Sequence, residues 1–336
     1  MAAQRRGCVI HGAGVSRRTT VTPSPGEGVG GRVVPVSAQQ RLRLAPLLLA
    51  LVLALPAQAE ISVADDSGRT VRLATPARRI VSLAPHVAEL IYAAGAGDRL
   101  VGTVQFSTYP EAARRLPQVG GYSRFDLEAI LALKPDLVIG WQSGNPAEQI
   151  ARMQSLGLPL FLTQPDRIDD VARNLEQIGT LAGTEATARA AAAHYRARHK
   201  ALAARYSARP PVRVFYQVWK TPLMTVGGRQ IISDVLTLCG GRNVFADLTA
   251  LAPTVNEEAV LAADPEVIIA SGMDQARPEW VDDWRRWPTM TAVARGNLFH
   301  VPPELIQRHT PRLLDGAEQV CGQLEQARSR RPAAKP

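Results

Sequence analysis

Two stretches of this chain match each other at an offset of 130 residues: Glu128-Ala-Ile-Leu-Ala-Leu-Lys-Pro-Asp-Leu-Val-Ile-Gly140 aligns with Glu258-Ala-Val-Leu-Ala-Ala-Asp-Pro-Glu-Val-Ile-Ile-Ala270. Each reads as a short helix, a Pro-Asp or Pro-Glu turn and a buried strand, Leu137 to Ile139 in one and Val267 to Ile269 in the other. A strand that is apolar throughout, without alternation, is what a parallel sheet covered by helices on both faces produces. Arg79-Ile-Val-Ser82 and Arg213-Val-Phe-Tyr216 supply a first strand for each half. Both are followed by a helical pattern, Val87 to Ala94 and Ile231 to Leu238, ending in glycine. The repeat therefore predicts two similar α/β lobes, at 79–183 and 211–327.

Between the lobes, residues 184–206 are rich in Ala and Arg and lie between Gly183 and Pro210-Pro211. Strong helix formers, Thr184 as N-cap and Pro211 as a stop predict one helix within 184–210. At 1.5 Å per residue it spans about 33 Å, long enough to cross both lobes. The ligand site of such a pair is expected in the cleft, where the C-terminal ends of the strands face each other. Residues 60–78 form an N-terminal segment, and 328–336 read as a disordered tail.

Residues 41–59 carry a basic start, an apolar run from Leu44 to Leu55 and a small-x-small site at Ala57-Gln58-Ala59. This is the pattern of a secretory signal peptide. The run of about 12 residues falls short of the roughly 20 that a spanning helix needs. A soluble periplasmic chain beginning near Ala59/Glu60 is expected, and no Cys follows the run to carry a lipid anchor. Residues 1–40, rich in Gly, Arg, Ser and Pro, read either as a mis-assigned start, with translation beginning near Val33, Val34 or Val36, or as an unusually long basic region of the signal peptide.

The leader also explains the charge. The 336 residues hold 39 Lys+Arg against 30 Asp+Glu, a net +9 that would suggest polyanionic partners. Residues 1–59 contain seven of the basic residues and one of the acids, leaving 32 against 29, or +3. No basic stripe with interleaved aromatics remains, so nucleic acid is not an expected partner.

Enzyme motifs are missing: there is no Gly-x-Ser-x-Gly elbow, phosphate loop, dinucleotide fingerprint or His-Glu-x-x-His helix. His86 with Glu89 resembles a fragment of a metal site, but its place after Pro85 at a helix start favours a solvated or capping role. His194 and His199, five apart on the linking helix, do not face each other. Tyr122, Trp141 and Trp219 lie at or just after strand ends, and Phe106 follows Leu100-Val101; as a set they suit a large flat ligand. Glu128 and Glu258 follow the N-cap residues Asp126 and Asn256. They either complement helix dipoles, worth about 0.3–1 kcal/mol, or present one exposed carboxylate per lobe to a two-fold symmetric partner with arginines. Of three cysteines, Cys8 is removed with the leader, and an even pair in an exported protein points to a Cys239–Cys321 disulfide.

Together these features resemble the periplasmic cobalamin-binding proteins of ATP-binding-cassette importers, within the class whose lobes are joined by a helix. The resemblance runs over about 79–327. It rests on Arg79-Ile-Val-Ser-Leu-Ala-Pro-His-Val-Ala-Glu-Leu90, Gln118-Val-Gly-Gly-Tyr-Ser-Arg-Phe-Asp-Leu-Glu128, Leu133-Lys-Pro-Asp-Leu-Val-Ile-Gly-Trp141, Leu238-Cys-Gly-Gly241 and Thr310-Pro-Arg312. It implies an α/β fold of two Rossmann-like lobes joined by a single long helix. It also implies a corrin pocket lined by Phe106, Tyr122 and Trp141 from the first lobe and by Gln217 to Trp219 of the second. Glu304 and Arg308 would be polar contacts to ligand side groups, and Glu128 and Glu258 would dock on the permease dimer of the inner membrane. Phe106 replaces a tyrosine usual in the family, and Ala252 falls near a usual tryptophan.

The expected activity is non-enzymatic: a monomeric receptor that carries cobalamin as transported ligand and needs no cofactor or metal of its own. A corrinoid brings its cobalt already held, so apolar faces and a few polar contacts suffice. The alternatives are a ferric-siderophore or haem receptor of the same class and, less favoured, a secreted enzyme on the same scaffold.

Overall fold

The computed structural model describes residues 60–332 apart from 122 and 273–276, and Thr20 and Thr22 of the leader. The expected signal peptide and its cleavage site lie outside the described residues. No helix among the described residues is long and apolar enough to cross a membrane.

An antiparallel hairpin, β1 (Ile61–Ala64) and β2 (Thr70–Leu73), opens the described chain. Asp66 in its turn accepts hydrogen bonds from the Gln164 amide and from the Arg173 and Asn174 side chains, which fastens the hairpin to the first lobe. That lobe comprises β3 (Ile80–Ser82), α1 (Pro85–Ala93), β4 (Leu100–Gly102), the short pair β5 (Gly120–Gly121) and β6 (Arg124–Phe125), α2 (Leu127–Ala132), β7 (Leu137–Trp141), α3 (Ala147–Ser155), β8 (Leu160–Thr163) and α4 (Ile168–Ala182). Its parallel sheet runs in the order β4-β3-β7-β8.

Helix α5 (Glu185–Tyr206) leads to the second lobe: β9 (Val212–Gln217), α6 (Ile231–Leu238), β10 (Gly241–Asn243), α7 (Glu257–Ala263), β11 (Val267–Ala270), a 3-10 segment at Glu279–Arg286, α8 (Thr291–Ala294), β12 (Leu298–His300), α9 (Pro303–Ile306) and α10 (Leu313–Ser329). The second sheet, β10-β9-β11-β12, is again all parallel and has the same order. The sequence repeat is thus a topological repeat. Its two copies are α2–β7 and α7–β11, and each places a strand with four buried residues inside its sheet.

Helix α5 buries a stripe of Ala188, Ala192, Tyr195, Leu202 and Tyr206, at the spacing that keeps one face inward. Small residues let it come close to α4: a Cβ on Gly179 would sit 2.3 Å from that of Ala188. Thr184 does not cap α5 through its side chain; its hydroxyl donates instead to Ala94 O at 2.7 Å, tying the helix start to the end of α1.

Cys239, at the end of α6, is disulfide-bonded to Cys321 in α10 with Cα atoms 4.7 Å apart. The chain end differs from expectation. Helix α10 runs to Ser329, Arg330 donates to Gly296 O, and Arg331 pairs with Glu266 at 2.9 Å. Residues 328–331 therefore pack on the second lobe and are not a disordered tail, and 333–336 of the expected tail lie outside the described residues. Arginine-rich composition read as solvated, but these guanidiniums find the buried carboxylate of Glu266 and the backbone carbonyls of Gly296 and Pro211.

Candidate ligand cleft

In the first lobe the strand order reverses between β3 and β7, and side chains from the C-terminal ends of such strands line the crevice outside the sheet. Trp141 ends β7 there. Asn145 holds this corner: its amide oxygen accepts from Trp141 N at 2.7 Å and its nitrogen donates to Leu83 O at 3.0 Å, joining the ends of β7 and β3. The indole packs against Gly144, where a Cβ would stand 1.8 Å from the ring, so only glycine leaves it room. Trp141 thereby faces a cavity of about 260 Å³, shared with Gln164 of the first lobe and with Val218, Ile232, Ala252 and His309 of the second.

Next to Trp141, His86 of α1 and His309, in the loop between α9 and α10, meet edge-on. Ring centroids are 5.2 Å apart for His86–Trp141, 5.1 Å for His86–His309 and 5.8 Å for Trp141–His309. His86 is buried and no side chain caps the start of α1, so neither the solvated nor the capping role suggested by its helix-start position is seen. Its flank is covered by the opposite lobe, which local sequence does not reveal. Burial, with His309 and Arg308 nearby, holds the His86 imidazole well below its ordinary pKa. Burial pushes His309 down to about 4. Both rings are neutral at neutral pH. His86 Nε2, His309 Nδ1 and Trp141 Nε1 are buried without a hydrogen-bond partner among the described residues.

The edge of the cleft is clasped by charge. Glu89 of α1 accepts from Arg308 at 2.7 Å and from both Nε and Nη2 of Arg312 at 3.0 Å, so one buried carboxylate holds two guanidiniums of the other lobe. Arg312 also stacks 4.1 Å from the Tyr109 ring. Arg308 donates its second nitrogen to Phe106 O at 3.0 Å. Phe106 itself sits at φ +64°, a conformation uncommon for a non-glycine residue, and is 65% exposed.

The expected site residues are only partly gathered. Trp141 lines the cavity. Phe106 contributes its backbone to the clasp, and Arg308 is held by Glu89. Trp219 sits beyond cavity-lining Val218, with its indole nitrogen donating to Thr221 O at 3.0 Å. Gln217 is buried and accepts from Trp284 Nε1 at 2.7 Å, a packing role within the second lobe. Glu304 is half-buried in α9, outside the cavity lining. Tyr122 lies outside the described residues. Ala252 does line the cavity, so the missing tryptophan leaves space there. Sequence alone assigns Arg312, Tyr109 and His309 no site role, and Glu89 only that of a metal-site fragment with His86. The Thr310-Pro-Arg312 motif and the three-residue spacing of His86 and Glu89 were the signals that could have found them. No group of three or more His, Cys, Asp or Glu side chains among the described residues could hold a metal ion.

Glu128 and Glu258 occupy equivalent first-turn positions of α2 and α7. Asp126 caps Ala129 N at 2.9 Å, and Asn256 caps Ala259 N at 2.8 Å. Both glutamates are exposed, whereas neighbouring Glu257 is paired with Arg286.

The family model for periplasmic binding proteins matches residues 80–305. The chain belongs to this family. It is 36% identical over 256 residues to a vitamin B12-binding protein of Vibrio campbellii, across 76% of this chain and 92% of that one. Among solved structures, the periplasmic vitamin B12 binding protein of Vibrio cholerae aligns with a TM-score of 0.70 at 36% identity, covering 75% of this chain and 98% of that one. A periplasmic heme-binding protein of Roseiflexus sp. RS-1 aligns with a TM-score of 0.64 at 25% identity, covering 74% and 99%. The α/β two-lobe fold expected from the internal repeat is the fold of this family.

Proposed function

We propose that the exported protein captures cobalamin or a related corrinoid in the cleft between its lobes and delivers it to an ABC permease dimer in the inner membrane. The observation that carries this reading is Trp141. A large flat side chain is fixed at the C-terminal end of β7, facing an interlobe cavity, in a chain similar over three quarters of its length to vitamin B12-binding proteins. The residues around it are mostly apolar, which suits the face of a macrocycle whose metal is already held.

Small-ligand pockets usually enclose about 300–1,000 Å³, more than this cavity of about 260 Å³. Entry of a macrocycle therefore requires the lobes to part at the Glu89 clasp. Glu304 and Arg308 would then be free to meet ligand side groups, with Phe106, Tyr122 and Trp219 as aromatic contacts to the ligand. The exposed pair Glu128 and Glu258 would dock on basic residues of the two permease subunits. Equilibrium binding of cyanocobalamin to the exported protein tests the reading; no saturable binding at micromolar concentration would defeat it.

Heme is the second reading, favoured by the cavity-lining His309 and the likeness to a heme-binding protein. Saturable heme binding without corrinoid binding would select it.

A further inference from the structure

We propose that the Glu89 clasp works against ligand binding: Glu89 competes with the bound corrinoid for Arg308, so ligand affinity is lowered by what it costs to break the clasp. The inference rests on the corrinoid reading and adds to it a residue that sets affinity without lining the cavity.

Three observations carry it. Arg308, the residue expected to meet ligand side groups, already has both terminal nitrogens engaged: one donates to Glu89 at 2.7 Å and the other to Phe106 O at 3.0 Å. Ligand contact through this side chain therefore requires an exchange of partners. Glu89 is 3% exposed, is not among the cavity-lining residues, and takes its remaining bonds from Arg312, also of the second lobe. Parting the lobes thus strips this carboxylate of all the charge that compensates its burial. The closed lobes, finally, leave a cavity of about 260 Å³, below the usual range for small-ligand pockets. The state with the clasp intact is then not the state that holds a macrocycle. A ligand that binds only the open state has its apparent dissociation constant raised by the inverse of the open fraction.

A second contact between the lobes supplies the control. Asp234 of α6 accepts from Ile168 N at 2.9 Å and pairs with Arg167 at 3.2 Å, where α4 begins. It too joins the lobes through a carboxylate, but it holds no residue expected to meet the ligand. Removing its charge loosens the lobes and leaves Arg308 where it was.

The test measures cyanocobalamin affinity of the exported protein. Glu89→Gln and Glu89→Ala should each lower the dissociation constant about tenfold or more, whereas Asp234→Asn should stay within about twofold of wild type. Unchanged or weaker affinity in both Glu89 variants, with a cooperative unfolding transition showing that they fold, overturns the inference. An equal gain in Asp234→Asn overturns it too, since looser lobes and not the release of Arg308 would then be the cause. A further reading depends on no Glu89 variant. Spin labels on Glu128→Cys/Glu258→Cys, exposed positions on different lobes, should report a changed interlobe distance once cyanocobalamin is bound. Ligand-free protein that also carries Glu89→Gln should shift toward that distance. A distance that stays the same on binding overturns the inference. If cyanocobalamin binds neither wild type nor the Glu89 variants, the corrinoid reading itself fails, and the inference with it.

Discussion

Glu89 and Arg308, 219 residues apart in sequence, meet at 2.7 Å across the two lobes, with Glu89 only 3% exposed. Taking a carboxylate out of water costs several kcal/mol unless opposite charge and hydrogen bonds replace the lost hydration. Here two guanidiniums do so, and both come from the other lobe. The pair is therefore satisfied only while the cleft edge is closed, which makes it the contact that ligand entry must open.

Removing the carboxylate tests this clasp. Glu89→Ala leaves Arg308 and Arg312 partly buried and unpaired, and should lower unfolding free energy by about 3 kcal/mol. In urea this reads as a lower midpoint with little change in slope. A loss below about 0.5 kcal/mol, the level of an ordinary surface substitution, would mean that the clasp does not hold the lobes.

The disulfide closes a loop of 82 residues between α6 and α10. Constraining the unfolded chain over that length should contribute about 4 kcal/mol. Replacing both cysteines by serine, or unfolding under reducing conditions, should lower the thermal midpoint markedly. Two reactive thiols in the folded, periplasm-derived protein would show instead that the bond is not formed.

Stability should also fall in mild acid. His309 titrates near 4 in the fold and near 6.5 in the unfolded chain, so between these values the unfolded state binds a proton that the native state refuses. The stabilising contribution is complete above about pH 6.5 and is lost as pH falls toward 4, by roughly 3 kcal/mol in all. His86, depressed by the same burial, acts in the same direction. Denaturant midpoints measured across this range should drop less steeply for His309→Gln than for wild type. Parallel curves would show that the His309 ring is hydrated and titrates normally.

What was legible in the sequence was what local periodicity and repetition encode. The apolar runs at 137 and 267 announced the central strands, and the alanine-rich segment after Gly183 announced α5 nearly to the residue. The clasp and the histidine contact were not legible, because each joins residues more than 200 positions apart whose local surroundings look like ordinary helix starts and loops. Phe106 shows the same limit. Its aromatic character suggested a pocket wall, but the carbonyl bond to Arg308 of the other lobe and the backbone at φ +64° had no local signal. Arg328 to Arg331 read as a charged tail, and only the fold brings Arg331 against Glu266.

Glu128 and Glu258 should act in delivery and not in capture. Each is exposed on the first turn of a repeat-equivalent helix, is capped in the same way, and has no ion pair with a described residue that would explain its charge. Dipole complementarity alone is worth about 0.3–1 kcal/mol per residue, so charge reversal should cost little stability. Docking on arginines of two permease subunits is different, because reversal replaces attraction by like-charge repulsion at both contacts. The double variant Glu128→Lys/Glu258→Lys should therefore abolish stimulation of the transporter ATPase while ligand affinity stays within about twofold of wild type. Each single variant should retain partial stimulation, since one contact survives. A parallel fall in ligand affinity would place these residues in the pocket or in folding. Undiminished stimulation by the double variant would assign them to helix capping alone.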